Sequence, residues 1–462
     1  MSVFSQLVSI DENFGGNGTV VIPNGGVEFV NFDKQGNIIA LGYSSLSCPT
    51  IIKTDANGII DTNFGNNGLV ILNEYGSNLG TRYGIKITDE NKIVVIFLLY
   101  SNGVVGPDDP PQYIIMRLNE NGTIDENFGV NGKIILKNAI MSVNTENDDF
   151  MLIAFMEDYY DDNGYNQDTY ISKYNYNGEI DSNFGVNEKA YLTGNRMRKF
   201  FPNSIKILNN QSIILAGSNE SSYPIQLAFC KLNPNGNFAT NFANNGALSM
   251  NIDNNPYSKL FTNIIEESNG NLVFTAWLNG HVRHNLLCGF NSNGTINNNF
   301  GNNGFFNYLD DNSSSKQVAL QNENKFLIGN DNKIMSINNN GTFDTHFNNT
   351  GSFVFESFKI NDIKKQTSNK FIIGGNGGLL RLNISYETSI KSNEILNSLV
   401  IFPNPAKEVL YFSKETAFEI IDTQGNVLLK STASVKSVNI ADLGAGIYFV
   451  RFGSDVKKFV KE

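Results

Sequence analysis

The sequence predicts an all-β protein, a seven-bladed β-propeller followed by a small immunoglobulin-like β-sandwich. Three observations carry that expectation. A turn motif recurs seven times, a four-strand pattern fills the intervals between its copies, and after Asn383 a different pattern takes over. β-Branched and aromatic residues punctuated by Asn and Gly read as strand throughout, and no stretch sustains a helical apolar period.

The motif has the form Asp-x-Asn-Phe-Gly-x-Asn-Gly. It stands at Asp11–Gly18, Asp61–Gly68 and Asp125–Gly132, with one loss at Asp181–Glu188, and then as Ala239–Gly246, Asn297–Gly304 and Asp344–Gly351. Its phenylalanines are Phe14, Phe64, Phe128, Phe184, Phe242, Phe300 and Phe347. Every copy but the first follows an Asn-Gly pair, from Asn57-Gly58 to Asn340-Gly341. Asp and Asn make Asx-turns, Gly takes positive φ, and the Phe is expected to plug the space between blades. The same oxygens invite a Ca²⁺ reading, but the acid is lost at Ala239 and Asn297, which favours structural turns.

Within one interval the expected strands are Leu69–Leu72, Tyr83–Thr88, Ile93–Tyr100 and Tyr113–Leu118, with a tight polar turn at Asp89–Lys92. The last two recur as Asn37–Gly42 with Thr50–Thr54, Ser212–Gly217 with Gln226–Leu232, and Asn271–Trp277 with Asn285–Phe290. Seven such units describe propeller blades; a linear β-solenoid is the alternative stacking. The last unit shows Lys370–Gly374 and Gly378–Leu382, and its final strand is expected to meet the N-terminus and close the ring. The propeller thus takes residues 1–388, and residues 389–398 form a polar linker. The second domain, 399–462, holds the Pro403-Asn404-Pro405 entry, a strand at Val409–Phe412 and a hairpin turning through Asp422–Gly425. It ends with Gly446–Phe452 and a closing Lys457-Lys458-Phe459. The prolines pin an extended entry, Gly446 permits a tight bend, and six or seven strands are expected.

Composition removes several function classes. Among 462 residues, 34 Lys and Arg against 45 Asp and Glu leave a net charge of −11, which argues against general nucleic-acid binding. The longest apolar run, Ile93–Tyr100, is too short to span a bilayer. Cys48, Cys230 and Cys288 stand far apart with no CxxC, which excludes a cysteine zinc site and a disulfide framework and leaves small buried thiols. No nucleophile elbow, zinc helix motif, phosphate loop or dinucleotide fingerprint occurs, so no catalytic residue is assigned.

The more variable face is the expected binding face. The motif and the Asn/Gly turns are short and uniform and fall on one face. The long, dissimilar loops Asn73–Gly84, Ser101–Gln112, Glu157–Thr169, Thr193–Ser204, Ser218–Pro224, Asp253–Thr262 and Leu278–Arg283 fall on the other. Trp277 precedes His281, Arg283 and His284 as an aromatic platform beside polar groups, with a strand-end Trp as the plainer reading. Arg196 and Arg198 stand beside Phe200 and Phe201, and Tyr159 and Tyr160 add aromatic surface. The acidic segment Asp158, Asp161, Asp162 and Asn163 is the one candidate Ca²⁺ site, without the EF-hand register; a solvated loop competes with it. No other cofactor is expected.

The repeat resembles the delta-60 repeat family through its Asp-x-x-Phe-Gly-x-x-Gly turn, over residues 1 to about 388. That resemblance implies the fold and no general catalytic role. The C-terminal segment resembles the type A sorting domain of the type IX secretion system. Four signatures carry the likeness, in order: Pro403-Asn404-Pro405-Ala406, the Asp422-x-x-Gly425 hairpin, the Leu443-x-x-Gly446-Ile-Tyr448-Phe-Val core, and Lys457-Lys458-Phe-Val-Lys461. The likeness implies secretion or display on the outer-membrane surface, with the secretion machinery as partner. Cargo of that family needs a signal peptide, and Met1–Ile10 has neither a basic nor an apolar region, so a truncated start is expected. The leading functional expectation is a secreted or cell-surface module that binds a glycan or protein. An exported polysaccharide-active hydrolase with carboxylates on the variable-loop face is the alternative, and a passive surface protein is the third.

Overall fold

The computed structural model describes residues 6–44, 48–72, 79–99, 112–161, 164–192, 199–221, 223–252, 259–278, 284–309, 315–322, 325–386, 401–452 and 455–462. The chain separates into two compact units, one spanning Ser5–Tyr386 and one holding the C-terminal residues to Glu462. Apart from a 3-10 turn at Phe14–Gly16, the regular structure of the described residues is strand. The expected linker, 389–398, lies outside the described residues.

In the first unit, Leu79–Ile87, Ile93–Leu99, Gln112–Leu118 and Lys133–Leu136 pair in sequence order as one antiparallel sheet. The same order recurs in four-stranded sheets running from Ala139 to Tyr191, Phe200 to Met250, Lys259 to Leu309 and Ser315 to Val354. This corrects the phase of the expected unit. The short strand after each motif is the outermost strand of the preceding sheet, because the motif turn folds the chain back on the strand it has just left. Thus Leu69–Ile71 pairs with Pro49–Thr54.

The middle strands are apolar on both faces. Ile93 through Phe97 are at most 2% exposed, because each sheet is covered on both sides by its neighbours. One apolar cluster joins Ile39, Ile51 and Phe64 of the first sheet to Ile85, Val95 and Ile114 of the next. Similar clusters link successive sheets.

The remaining sheet has seven strands and joins both ends of the repeat region. Strand Lys370–Tyr386 turns back near Asn376-Gly377, so that the Ile384 amide donates to the Asn369 carbonyl at 2.8 Å. Its second half pairs with Gln6–Ile10, from Gln6↔Tyr386 to Ile10↔Leu382, and with Thr19–Val21. The Asn348 amide also donates to the Gln6 carbonyl, at 2.6 Å.

The C-terminal unit has five strands among the described residues, fewer than the six or seven expected: Ile401–Phe402, Val409–Ile421, Val427–Asn439, Gly446–Phe452 and Asp455–Lys461. Two of them, 13 residues each, do the work of several. Their pairing shifts register between Tyr411 and Phe418, so one long strand serves two parts of the sheet. Leu410, Phe412, Ile420, Val450 and Phe459 form the core. The entry is bent rather than extended, with cis peptides before Pro403 and Pro405.

Candidate functional site

Each motif turn is a clasp between neighbouring sheets. In five copies the residue after the Phe donates its amide to the carbonyl of the Asn in the next Asn-Gly pair, and in the last copy Asn348 donates to the Gln6 carbonyl instead. Gly15 reaches Asn57 at 2.9 Å, Gly65 reaches Asn121 at 2.8 Å, and Gly301 reaches Asn340 at 2.7 Å. Gly58 has φ +84°, and a Cβ there would stand 2.8 Å from the Phe14 ring, so the pair requires glycine for conformation and for room. The motif acid turns inward to a base on the adjacent strand. Arg381 meets Asp11 at 2.8 Å, Arg117 meets Asp125 at 2.8 Å, and Lys173 meets Asp181 at 3.1 Å.

Burial pushes the Asp11 and Asp125 carboxyls up, but hydrogen bonds and charge from the paired bases outweigh it and hold both below the usual range. The same cations cover the plugging rings: Arg117 lies 4.8 Å from the Phe128 centroid and Arg381 4.9 Å from that of Phe14. The motif acids are thus occupied by side chains of their own sheets. Sequence reasoning missed this base, although its signal is a fixed spacing. Arg117 precedes Asp125 by eight residues, and Lys53, Lys173 and Lys231 hold the same place before Asp61, Asp181 and Ala239.

The first strands of the sheets surround an axial cavity of about 500 Å³. Each of these strands carries a β-bulge at the same place, for example between Ile140 and Ser142 and between Pro202 and Ser204. Amide side chains tie the strands together: Asn31 donates to the Ile85 carbonyl at 3.2 Å, Asn144 to that of Ile205 at 3.0 Å, and Asn361 to that of Val27 at 2.8 Å. Charged groups also line the cavity. Lys86, Glu146 and Lys364 face it; Lys86 bonds Asp148 at 2.7 Å and Glu146 bonds Lys206 at 3.1 Å, both partners lying outside the lining. Asp362 is buried and accepts the Val30 and Ile363 amides, each at 2.8 Å, and burial raises its carboxyl despite those bonds. Both cavity carboxylates, Glu146 and Asp362, are therefore committed to other bonds.

The variable-loop face differs from its sequence reading. The expected loop Glu157–Thr169 is a β-hairpin, Phe150–Asp161 with Gly164–Asn175. Dense Asp, Asn and Gly suggest a loop, but the backbone ladder of the two strands continues through the segment as far as Asp161↔Gly164. Asp158 accepts a hydrogen bond from Gln167 at 2.9 Å. Asp161 ends the strand, and Asp162 and Asn163 lie outside the described residues. Among the described residues no three His, Cys, Asp or Glu group as a metal site.

Tyr159 is 39% and Tyr160 81% exposed near the tip of this hairpin. Tyr223, 82% exposed, occupies the equivalent connection of the next sheet. Trp277 is half-buried near the end of strand Leu272–Leu278, opposite Leu260 and Asn285, as in the plainer reading, and His284 begins the following strand. Likewise Phe200 begins a strand inside the expected loop Thr193–Ser204. Arg196, Arg198 and His281 lie outside the described residues.

In the C-terminal unit the signature residues have distinct structural places. Asn404 accepts the Val460 amide at 2.9 Å and donates to the Lys458 carbonyl at 3.2 Å, fixing the entry against the last strand. Tyr448 stacks on Phe459, with centroids 5.7 Å apart, and donates to the Gly444 carbonyl at 2.8 Å, just ahead of Gly446. The Asp422 carboxylate caps the Gly425 turn by accepting the Gln424 and Asn426 amides at 2.9 Å. Lys457 and Lys458 are exposed on the final strand.

No helix among the described residues is long and apolar enough to cross a membrane. No curated protein matches the chain. Among solved structures it is similar to YCF48 from Cyanidioschyzon merolae, at 11% identity over 79% of this chain and 97% of that one, with a TM-score of 0.44. It is also similar to PorZ, an essential bacterial surface component of the type-IX secretion system of Porphyromonas gingivalis. That likeness has 10% identity over 94% of this chain and 65% of that one, with a TM-score of 0.34. Residues 400–462 match the secretion system C-terminal sorting domain. The chain therefore ends in a type IX sorting domain, which implies contact with the secretion machinery and marks a secreted or cell-surface protein.

Proposed function

We propose that residues 5–386 form a closed seven-bladed propeller of delta-60-type repeats that acts as an exported binding module for a glycan or protein. The C-terminal unit, read as an immunoglobulin-like sandwich, is its address and takes no part in ligand binding. Five four-stranded sheets, and a larger sheet that joins both ends of the repeat region, support the ring. The observation that carries the binding reading is the pair of exposed tyrosines, Tyr160 and Tyr223. They stand on equivalent connections of neighbouring sheets, which share an apolar cluster. Exposed aromatic rings beside hydrogen-bonding groups stack on sugar rings and anchor protein partners, and evolution varies such loops without disturbing the turns opposite.

A glycan and outer-surface protein array probed with the full chain tests this. Replacing Tyr160 and Tyr223 together by Ser is expected to abolish the signal with no change in melting temperature, while changing Asn66 and Asn244 on the turn face leaves it intact. The opposite pattern would place the ligand on the turn face and overturn the reading.

A further inference from the structure

The axial cavity lies apart from the tyrosines and has a chemistry of its own. Its lining follows the first strands toward the ends that enter the tight turns, as at Ile85–Lys86 and Thr145–Glu146. It therefore reaches toward the turn face, away from the variable loops. About 500 Å³ exceeds what an inorganic anion fills and accommodates a monosaccharide.

Two of the three lysines around it are held in ion pairs. Lys86 is taken by Asp148 and Lys206 by Glu146, whose side chain lines the cavity and remains 56% exposed. Burial pushes the Glu146 carboxyl up, but the charges of Lys206 and Lys364 pull it below its usual range, so it stays anionic and keeps Lys206 engaged. Lys364 feels Glu146 and Asp362 only through space and forms no ion pair among the described residues.

A second, independent feature points inward. Ser142 is 6% exposed, lines the cavity beside its β-bulge, and its hydroxyl has no hydrogen-bond partner among the described residues. A buried hydroxyl without a partner costs about 1–3 kcal/mol unless something in the cavity meets it. Apolar walls at Phe29 and Val143 alternate with these groups, which matches the apolar faces and polar rim of a sugar ring.

We propose that the axial cavity is a second binding site, specific for a small hydroxylated carboxylate of hexuronate size. Lys364 supplies the cation for the carboxylate and Ser142 a hydrogen bond for a hydroxyl. The site is independent of the tyrosine face and gives the exported module a pocket for an acidic sugar.

Calorimetric titration of the full chain with glucuronate and galacturonate, with glucose and acetate as comparators, tests the proposal. Saturable one-to-one binding of a uronate is expected, with glucose and acetate each weaker by about ten-fold or more. Lys364→Met should cost about ten-fold, Lys364→Arg should retain binding, and Ser142→Ala should cost roughly three-fold. The exposed Lys436→Met serves as a charge control without effect. Absence of saturable uronate binding, equal binding of acetate, or equal behaviour of the Lys364→Met and Lys436→Met chains would overturn the proposal. The Tyr160/Tyr223 double variant separates the two sites. If it removes uronate binding, the axial assignment fails while the tyrosine-face reading stands.

Discussion

Replacing Ala239 by Asp is expected to stabilise the first unit by about 1–2 kcal/mol at neutral pH. The repeats supply the template. Where the acid is present, its Oδ1 accepts the amide two residues on, as Asp61 does from Asn63 at 3.1 Å and Asp181 from Asn183 at 3.0 Å, and its other oxygen meets the base. At Ala239 the base remains without the acid. Lys231 sits 5.2 Å from the Phe242 centroid, close to the placement of Arg117 over Phe128, and burial holds its ammonium below the usual lysine range despite Glu266. The substitution adds one charge-assisted turn bond and one half-buried ion pair, set against the cost of desolvating a carboxylate at a position only 4% exposed.

Urea unfolding read by intrinsic fluorescence measures the gain, and a double-mutant cycle with Lys231→Met isolates the pair. The sign with pH follows from the carboxyls already paired. Lys231 should depress the new folded-state pKa, as the bases depress those of Asp11 and Asp125. The added stability is then present above the unfolded value near 3.9 and is lost as pH falls through the lowered folded value. A gain that persists in the Lys231→Met background, or no gain at all, would refute the ion-pair reasoning.

Other outcomes follow from the same geometry. Phe128→Ala, which empties a site with 0% exposure, is expected to lose about 3–5 kcal/mol by the same urea assay. The depressed carboxyls of Asp11, Asp125 and Asp181 predict that melting temperature holds down to about pH 4 and falls below it, and that Arg381→Gln flattens the part due to Asp11. Deleting residues 399–462 is expected to retain the protein inside the cell, seen by fractionation, while the remaining chain melts as the first unit of the full protein does.

The strands and clasps were legible because they obey local rules repeated along the chain. Motif phenylalanines, positive-φ glycines and apolar middle strands each announce themselves within a few residues. Partnership across the chain was harder to read. The short strand Leu69–Ile71 carries no mark saying which sheet it completes, so the phase of the unit is set by pairing across the turn and not by local sequence. The base eight residues before Asp61, Asp125 and Asp181 is visible as a spacing, and it gains meaning only once the turn folds the acid back beside it. The bulges that bring Ser142 and Asp362 to the axial cavity have no sequence signature, since a bulge is defined by the facing strand. In the C-terminal unit the count of strands failed because a 13-residue strand that shifts register looks, in sequence, like two.

The pairing of Gln6–Ile10 with the end of the repeat region sets how the first unit responds to force. Gln6 lies opposite Tyr386, so the chain leaves both strands at the same end of the ladder. Tension between the N-terminus and the C-terminal unit therefore loads these hydrogen bonds one pair at a time, as a zipper, rather than all together in shear. The expected signature in a single-molecule pulling record is an early opening at low force. By contrast, a permuted chain that begins at the Thr88–Lys92 turn, with its old termini joined, would keep these strands paired and move the weak point elsewhere.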